Sequence, residues 1–502
     1  MNSPDKQPKT VVLVAFYNSK ALGVRYLETA LRRCDYHVVT VFFKNFNSVN
    51  PQKCTEYELS LLCDLIQKYD PCMIGLSVMS SMYLDTVNDM ISRLQKDFSI
   101  PLCAGGAFAS MFPEYFLERG VDYVIRSDGE RAICRLADAV VNKSDYTWIP
   151  SLCYKKEGKV FRNEISDIAV DIDEYGIPAV KCDDAYMIDH DTLHTGDPQL
   201  DTRSYEVIAS RGCPFTCSYC CCVNLHRLMP KGTPAVRSRS VESVIEELKT
   251  AKRICKKLVY VHFYDEIFPT TPGWVDHFIE EYKKHIALPF TIWSHPKMVK
   301  AEVLKKLKKA GLMEVVMGIQ SGSDHIRKGV FHRYETREDI LKACRTIKEC
   351  GVFWASYDFM LQHPFETVET MKETYYLVKE MQRPYELQLH GLNFLPGTDI
   401  VKMAIDAGHL SEEEMNHIMY APMAEQFSAY WKRENEVESQ LWYQMTYCQQ
   451  FKTLRRKMWR FEEEPLAHRA EIEALYHRGQ KLYKLRYLYR KLRIAVKGKF
   501  HI

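Results

Sequence analysis

Two series of short apolar runs, separated by amphipathic segments, constrain the fold of this chain most. The first series extends from residues 11–16 to residues 121–125, and the second from residues 205–209 to residues 387–395. Between the runs, apolar residues recur at helical spacing, as in residues 22–33. Continuous apolar strands joined by helices indicate parallel sheets covered on both faces. We therefore expect an α/β protein whose ligands lie beyond the carboxyl ends of the strands.

The length of 502 residues leaves room for about three domains at roughly 150 residues each. The composition, 46% hydrophobic and 26% charged, excludes collagen-like and disordered classes. The pattern predicts a doubly wound, Rossmann-like domain over residues 1–146 and a surface connector over residues 147–203, acidic and irregular from residue 167. A partial (β/α)6 barrel is predicted over residues 204–410 and a helical C-terminal cap over residues 411–502.

Charge and targeting features favour a cytoplasmic protein without a polyanionic partner. The net charge is only +3, so binding of nucleic acid is not expected. No run approaches the roughly 20 apolar residues that cross a bilayer, and the N-terminal MNSPDKQPKT lacks the apolar core of a secretory signal. Seventeen cysteines in such a chain indicate metal or redox chemistry before disulfides.

Three of these cysteines, Cys213, Cys217 and Cys220, stand at spacings of four and three directly after the first barrel strand. Soft thiolate ligands suit iron–sulfur clusters. A structural zinc site wants four ligands, whereas three would leave one iron of a cubane cluster without a protein ligand. Zinc with a distant fourth ligand, and buried unreactive thiols, are the alternatives.

This CxxxCxxC motif, with Tyr219 before its last cysteine and a (β/α) series behind it, resembles the radical S-adenosylmethionine (SAM) superfamily. The resemblance implies that Cys213, Cys217 and Cys220 bind a [4Fe–4S] cluster and are the catalytic and metal-binding residues. It also implies that the amine and carboxylate of SAM chelate the fourth iron, with Tyr219 near the adenine. The adjacent Cys221 and Cys222 are structural thiols, a stray ligand or a partner in radical chemistry, and the sequence does not choose among these.

Four later segments, at residues 263–268, 317–323, 358–367 and 395–398, resemble the strand ends with which this superfamily binds SAM. An ammonium group at a barrel mouth needs carboxylate acceptors, although a solvated loop is the alternative for the first segment. Many members carry Glu where Gln320 stands. The resemblance implies that SAM is bound by Asp265, Glu266, Gln320, Ser321, Ser323 and Asp358.

The first domain resembles the cobalamin-binding domain of cobalamin-dependent radical SAM methyltransferases, through residues 74–80, 102–109 and 127–130. Glycines in the second segment let the backbone approach a bulky ligand. Many cobalamin domains have Asp-x-His-x-x-Gly after the first strand, whereas residues 17–23 contain no histidine, so cobalamin would lack a protein imidazole. A degenerate domain without cofactor is the alternative. The implied cobalamin contacts are Asn18, Leu22, Gly23, Ser77, Val78, Met79, Ser80, Gly105, Gly106, Ala107, Phe108 and Glu130.

The resemblance implies methylation of an unactivated carbon. A reduced cluster would cleave SAM to a 5′-deoxyadenosyl radical, this radical would remove a substrate hydrogen, and the substrate radical would take a methyl group from methylcobalamin. Such an enzyme needs an external one-electron reductant of the flavodoxin or ferredoxin type, and its substrate is a small molecule, a lipid or a peptide. A rearrangement, ring contraction or cyclisation without methyl transfer is one alternative. A metal-stabilised binding protein without radical chemistry is the other.

Residues 478–499 hold nine lysines and arginines and no acid. A helix would align Leu482, Leu485, Tyr489, Leu492 and Val496 as one apolar stripe. We expect this stripe to pack on the barrel with the cations in solvent. The alternatives are a peripheral helix on a membrane surface and a dock for an anionic substrate.

Overall fold

A computed structural model describes residues 9–47, 49–429 and 437–500. Most of the N-terminal peptide used in the targeting argument therefore lies outside the described residues, as do the side chains of Lys497 and Lys499. The described chain forms two α/β units and a helical C-terminal region, which confirms the predicted fold class. No described helix combines the length and the apolar character that crossing a membrane requires.

The first unit is a sheet of nine strands in the order β7-β6-β5-β4-β3-β1-β2-β8-β9. Its six central strands run parallel, and β6, β7 and β9 pair antiparallel at the two edges. The strands are β1 Thr10–Phe16, β2 His37–Phe43, β3 Met73–Ser77, β4 Leu102–Gly105, β5 Tyr123–Ile125, β6 Leu152–Lys156, β7 Lys159–Arg162, β8 Asp184–Asp189 and β9 Thr192–Thr195.

Helices cover both faces of this sheet, because the central strands are apolar on both sides. Helices α1 and α6 pack on one face, and α2 to α5 pack on the other. A capping box at Thr55 fixes the start of α2. The helices are α1 Leu22–Arg33, α2 Glu56–Tyr69, α3 Leu84–Asp97, α4 Ala107–Met111, α5 Pro113–Leu117 and α6 Glu130–Asn142.

The segment 147–203, predicted as a surface connector, contributes β6 to β9 to the first sheet. Strand β8 pairs in parallel with β2, and its side chains from Ala185 to Ile188 are buried. The prediction of an irregular stretch was wrong here, because the acidic residues around β8 hide a short apolar run. The ion pair between Arg25 and Asp197, fully buried at 2.7 Å, then ties the end of this segment to α1.

The second unit contains six parallel strands in the order β10-β13-β14-β15-β16-β17. The first and last strands do not pair, so the described sheet is a partial barrel that does not close. The small antiparallel pair β11 and β12 stands beside it. The strands are β10 Ser204–Val207, β11 Ser210–Arg211, β12 Arg237–Ser238, β13 Tyr260–Phe263, β14 Phe290–Ser294, β15 Leu312–Gln320, β16 Trp354–Met360 and β17 Glu386–His390.

Six helices lie between these strands, and all but the first pack their apolar faces on the outside of the sheet to form one large core. They are α7 Cys221–Leu228, α8 Val241–Ile254, α9 Pro272–His285, α10 Ala301–Ala310, α11 Arg337–Glu349 and α12 Val368–Glu380. The C-terminal region continues with α13 Asp399–Asp406, α14 Glu412–Tyr420, α15 Met423–Ala429, α16 Val437–Cys448, α17 Lys452–Met458 and α18 Arg469–Phe500.

Helix α18 lies on the sheet with a face other than the one predicted. Arg490 contacts Glu314 at 2.7 Å and Glu386 at 3.4 Å, at the amino-terminal ends of β15 and β17. The predicted stripe is exposed at Leu485, Tyr489, Leu492 and Val496, and only Leu482 packs against the core. The prediction that the stripe covers the barrel was therefore wrong. Arg490 faces the sheet because Glu314 and Glu386 are buried there, and a buried carboxylate without a cationic partner is strongly destabilising.

Candidate functional site

The three-cysteine loop lies between β11 and α7, at the carboxyl end of β10. Gly212 begins this loop with φ +98°, and a Cβ there would stand 2.2 Å from the carbonyl oxygen of Ala235. Only glycine fits such a turn without moving the backbone. The amide of Ser218 donates to the carbonyl of Phe331 at 3.1 Å, and the carbonyl of Ser218 accepts from the amide of Ile400 at 3.1 Å. The segments that follow β15 and β17 therefore hold the loop.

The thiols of this loop face one another closely enough to interact electrostatically. The pKa of the Cys213 thiol is raised to about 11, mainly by burial and to a smaller extent by the neighbouring thiols of Cys217 and Cys220. In the described part of the chain, no three His, Cys, Asp or Glu side chains converge at the distance of a single metal ion.

A buried polar network, which the sequence did not predict, contacts the cysteine loop. The ring of Phe215 stacks on His295 with centroids 3.8 Å apart. His295 Nε2 lies 3.2 Å from Glu335, whose other oxygen accepts from Arg333 Nε at 2.7 Å. Burial opposes ionisation of Glu335, but its neighbours His295 and Arg333 lower its pKa to about 2.

The same arginine reaches Tyr219 of the cysteine motif. Arg333 Nη1 donates to the Tyr219 hydroxyl at 3.2 Å, and Nη2 donates to the carbonyl of Gly318 at 2.7 Å. Arg333 therefore links the cysteine loop to the end of β15, where SAM-binding residues were predicted. No sequence signal marks Arg333, because its role depends on contacts between distant segments.

The two carboxylates predicted for the SAM amine follow β13 directly. Asp265 is buried, and its Oδ1 accepts from the amide of Ala209 at 2.9 Å and from the Ser210 hydroxyl at 2.6 Å. Its Oδ2 is buried without a hydrogen-bond partner. Burial raises the pKa of Asp265 to about 7. Glu266 is exposed and accepts a weak bond from the thiol of Cys222 at 3.5 Å, beside the cysteine loop.

The remaining predicted SAM residues lie at the ends of β15 and β16. Gln320 is left-handed at φ +72°, and its Oε1 is buried without a partner. Ser323 likewise has a buried hydroxyl without a partner, whereas Ser321 contacts the hydroxyl of Thr374 at 3.5 Å. Burial, followed by the charges of Glu314 and Glu386, raises the pKa of Asp358 to about 7. Asp265, Gln320 and Ser323 thus each keep a polar atom that lacks a protein partner.

A cavity of about 280 Å³ lies at the carboxyl edge of the first sheet, with walls from both units. Eight predicted cobalamin contacts line it: Leu22, Gly23, Ser77, Met79, Gly105, Gly106, Ala107 and Glu130. The second unit contributes Ile208, Arg211, Leu225 and Met229. The cavity wall therefore includes Arg211, two residues before Cys213, and Leu225 of α7, the helix that follows Cys220.

Four residues that were predicted to contact cobalamin do not line this cavity, and they stabilise the local backbone. Asn18 Oδ1 accepts from the amides of Lys20 and Ala21, which forms the turn after β1. Ser80 accepts from the amide of Met82 at the start of a short helix. Val78 and Phe108 are buried in the core, and the amide of Phe108 donates to the carbonyl of Val78.

Arg211 joins the two units at this cavity. Its Nη1 donates to Asp128 at 3.0 Å and its Nη2 donates to Glu130 at 2.6 Å. Arg237 donates to the other oxygen of Asp128 at 2.7 Å. Burial opposes ionisation of Asp128, but these two arginines lower its pKa. Glu130, predicted as a cobalamin contact, thus holds the arginine beside the cysteine loop while it lines the cavity.

Comparisons with known proteins agree with this geometry. Residues 207–378 match the radical SAM superfamily, and residues 8–137 match the B12 binding domain. The chain therefore contains a radical SAM domain and a B12-binding domain. An uncharacterised methyltransferase of Pyrococcus horikoshii is 26% identical over 354 residues, which are 68% of this chain and 72% of the relative.

Two solved structures share the fold of this radical SAM enzyme. The radical SAM methyltransferase TsrM of Kitasatospora setae, with tryptophan and a SAM analogue bound, has a TM-score of 0.62 at 18% identity, over 80% of this chain and 76% of that one. The cobalamin-dependent SAM radical enzyme OxsB, with aqua-cobalamin bound, has a TM-score of 0.64 at 15% identity, over 94% of this chain and 72% of that one.

The radical SAM domain implies a [4Fe–4S] cluster and SAM, and the B12-binding domain implies cobalamin. The residues present fit these groups. A Cβ on Gly106, where φ is +99°, would stand 2.6 Å from the carbonyl oxygen of Val78, so the cavity wall admits only glycine at this point. The partnerless oxygens of Asp265 and Gln320 fit a ligand that donates hydrogen bonds, such as the amine of SAM.

Proposed function

We propose that this radical SAM enzyme methylates an unactivated carbon of an organic substrate, using SAM, a [4Fe–4S] cluster and cobalamin. The observation that carries the proposal is the shared cavity, whose walls come from the B12-binding domain and from the loop and helix around the three cysteines. A methyl donor in the first domain would lie within one or two helical turns of the cluster loop, since Leu225 follows Cys220 by five residues, about 7.5 Å along a helix.

When bound, the cluster and SAM would supply a substrate-activating radical, and cobalamin would supply the methyl group. The protein supplies position and exclusion of water. We assign Cys213, Cys217 and Cys220 to the cluster, Asp265 and Glu266 to the SAM amine, and Tyr219 to the adenine. Gln320, Ser321, Ser323 and Asp358 are assigned to the remaining polar groups of SAM. Cobalamin would be held in the cavity by Leu22, Gly23 and residues 105–107.

The loop after β1 offers no imidazole to cobalamin. Lys20 of this loop instead donates to Glu206 on β10 at 2.7 Å. Its cation is therefore engaged with the partial barrel, and we propose that cobalamin is bound without a protein ligand to cobalt.

The proposal requires a one-electron reductant and a reducing compartment. None of the seventeen cysteines, all of which lie in the described ranges, forms a disulfide. Free thiols in this number are typical of a cytoplasmic protein. We propose that a flavodoxin-type or ferredoxin-type donor reduces the cluster and that the substrate, a small molecule, lipid or peptide, enters at the mouth of the partial barrel.

The test is turnover with SAM that carries a deuterated methyl group, in anaerobic extract of the host with both cofactors loaded. Methylation predicts deuterium in a product by mass spectrometry, together with S-adenosylhomocysteine and 5′-deoxyadenosine. Formation of 5′-deoxyadenosine with an unlabelled product would overturn methyl transfer and indicate a rearrangement or cyclisation.

A matched pair of cysteine variants separates the cluster from the other thiols. Cys213→Ala should abolish iron–sulfur absorption after anaerobic reconstitution and with it all SAM cleavage. Cys350→Ala, a thiol of the same domain between α11 and β16, should leave both unchanged. Iron content that survives the first substitution, with zinc present by elemental analysis, would contradict the cluster assignment.

A further inference from the structure

Helix α18 presents an apolar ridge to solvent. The ridge consists of Leu485, Leu488, Tyr489, Leu492 and Val496, and its three leucines are 64%, 56% and 67% exposed. At 3.6 residues per turn, these five positions lie within an arc of about 100°. Scattered exposed apolar residues need no explanation, but a continuous ridge of this length on one helix face does.

The helix already has a separate face that fixes it to the partial barrel. Tyr476, Leu482 and Tyr483 pack against the main core. Arg486 donates to the carbonyl of Tyr385 at 3.2 Å, and Arg490 pairs with Glu314 at 2.7 Å. Because these contacts hold the helix in place, the ridge is left to face outward in the described protein.

Cations flank the ridge on both sides. Lys484 and Lys491 are exposed along one flank, and Arg493 is exposed along the other. Lys481 stands exposed at the amino-terminal end of the ridge. The sequence from residue 478 to residue 499 contains no acid. A helix with leucine and tyrosine on one face, bordered by lysine and arginine, has the properties of a helix that lies in a membrane interface.

We infer that α18 docks this enzyme on the surface of an anionic phospholipid bilayer, with the ridge in the acyl boundary and the flanking cations at the phosphates. A second copy of the chain fits this surface less well, because apposed ridges would bring like-charged flanks together. RNA fits it less well, because phosphate contacts would leave the leucines in water. The inference does not depend on the reaction that the enzyme catalyses.

The test is flotation of the full-length protein with vesicles of phosphatidylcholine alone or of phosphatidylcholine with phosphatidylglycerol. We expect recovery with the anionic vesicles, weaker recovery at high salt and little recovery with the neutral vesicles. Leu488→Ser/Leu492→Ser should weaken binding about tenfold or more, because it removes apolar insertion. Lys484→Glu/Lys491→Glu should weaken it by a similar factor, because each cation near an anionic surface contributes to binding.

Matched controls carry the same substitutions at exposed sites elsewhere. Val170→Ser/Leu466→Ser removes exposed apolar side chains, and Lys305→Glu/Lys309→Glu reverses two exposed charges on α10. Both should bind as the unsubstituted protein does, and all four should keep its thermal unfolding midpoint. The inference is overturned if the ridge variant floats like the unsubstituted protein. It is also overturned if the ridge substitution changes only the oligomeric mass by light scattering, or only the binding of RNA.

Discussion

Asp265 combines complete burial with one oxygen that has no hydrogen-bond partner. Such an arrangement costs free energy in a protein without ligand, since the buried charge is only partly compensated by Ala209 and Ser210. A cationic ligand repays this cost because it supplies the missing partner. Burial raises the pKa of Asp265 to about 7, and a ligand that supplies the missing partner should lower it.

We expect the affinity for SAM to rise as the pH increases through about 7. Below that pH the buried carboxyl of Asp265 is protonated, whereas above it the carboxylate accepts a hydrogen bond from the N–H groups of the SAM amine. Asp265→Asn should abolish this pH dependence and weaken binding by about 2 kcal/mol, the value of a hydrogen bond to a charged group. Anaerobic equilibrium dialysis with labelled SAM measures both effects.

Asp265→Asn should not reduce stability although it weakens SAM binding. This difference distinguishes the loss of a ligand contact from misfolding. The folded pKa of Asp265 is raised above its unfolded value, so this group makes folding less favourable as the pH rises from about 4 to about 7. Asp265→Asn should therefore leave the ligand-free protein at least as stable at pH above 7. A variant that neither binds SAM nor folds would contradict the assigned role. Asp276→Asn, at an exposed position of α9, is the control.

At the scale of elements, α18 stabilises the floor of the partial barrel through one arginine. Glu314 accepts from Ser356 at 2.8 Å and from Thr291 at 3.2 Å, and Arg490 provides its positive partner at 2.7 Å. Burial raises the pKa of Glu314, while Arg490 lowers it. The helix thus compensates a charge that the strands alone would bury at high cost.

Arg490→Met should destabilise the barrel by about 3 kcal/mol near neutral pH, because it leaves a buried carboxylate without its cation. Loss of the cation raises the folded pKa of Glu314 further, so the deficit should grow as the pH rises above the ordinary range of a glutamate and shrink on acidification. Urea titrations at two pH values measure this. Arg493→Met, which removes a cation that lies over the ring of Phe353, should cost little at either pH. A deficit independent of pH would contradict the role of Arg490.

The sequence predicts elements better than it predicts which of their faces meet. The apolar run 290–294 coincides with β14, and residues 22–33 coincide with α1, because local periodicity determines both. Strand β8 escaped prediction because its partner β2 is about 145 residues away in sequence. For α18, the pattern correctly grouped an apolar stripe, but Arg490 faces the sheet only because Glu314 and Glu386 are buried there.

In the candidate site, too, local sequence signals were predicted and contacts between distant segments were missed. The cysteine spacing, Asp265 and the glycines 105–106 are local signals, and residues of this kind were predicted. Arg211 and Arg333 were missed as positioning residues, since each acts on a segment distant in sequence. Four residues of the predicted cobalamin segments do not line the cavity, namely Asn18, Val78, Ser80 and Phe108. A loop around a ligand also contains residues that stabilise the conformation of the loop itself.

At the scale of the whole molecule, four ion pairs made by three cations fix the B12-binding domain against the partial barrel and its connecting segment. Arg211 binds Asp128 and Glu130, Lys20 binds Glu206, and Arg25 binds Asp197. Arg211, the first of these cations, lies two residues before Cys213 of the cluster loop. A methyl donor and a radical generator held by separate domains react only if their distance is fixed, because small misplacements of reacting atoms are costly.

Arg211→Lys tests this coupling directly. A lysine keeps the positive charge but cannot bind both carboxylates in the fork geometry of arginine. We expect the cluster and SAM cleavage to persist, while the ratio of methylated product to 5′-deoxyadenosine falls about tenfold or more, since the two halves of the site lose their fixed distance. Arg227→Lys, an exposed arginine of α7 paired with Asp399, is the control and should leave the ratio unchanged. An unaltered ratio in Arg211→Lys, with the same iron content, would show that the domains keep their spacing without this arginine.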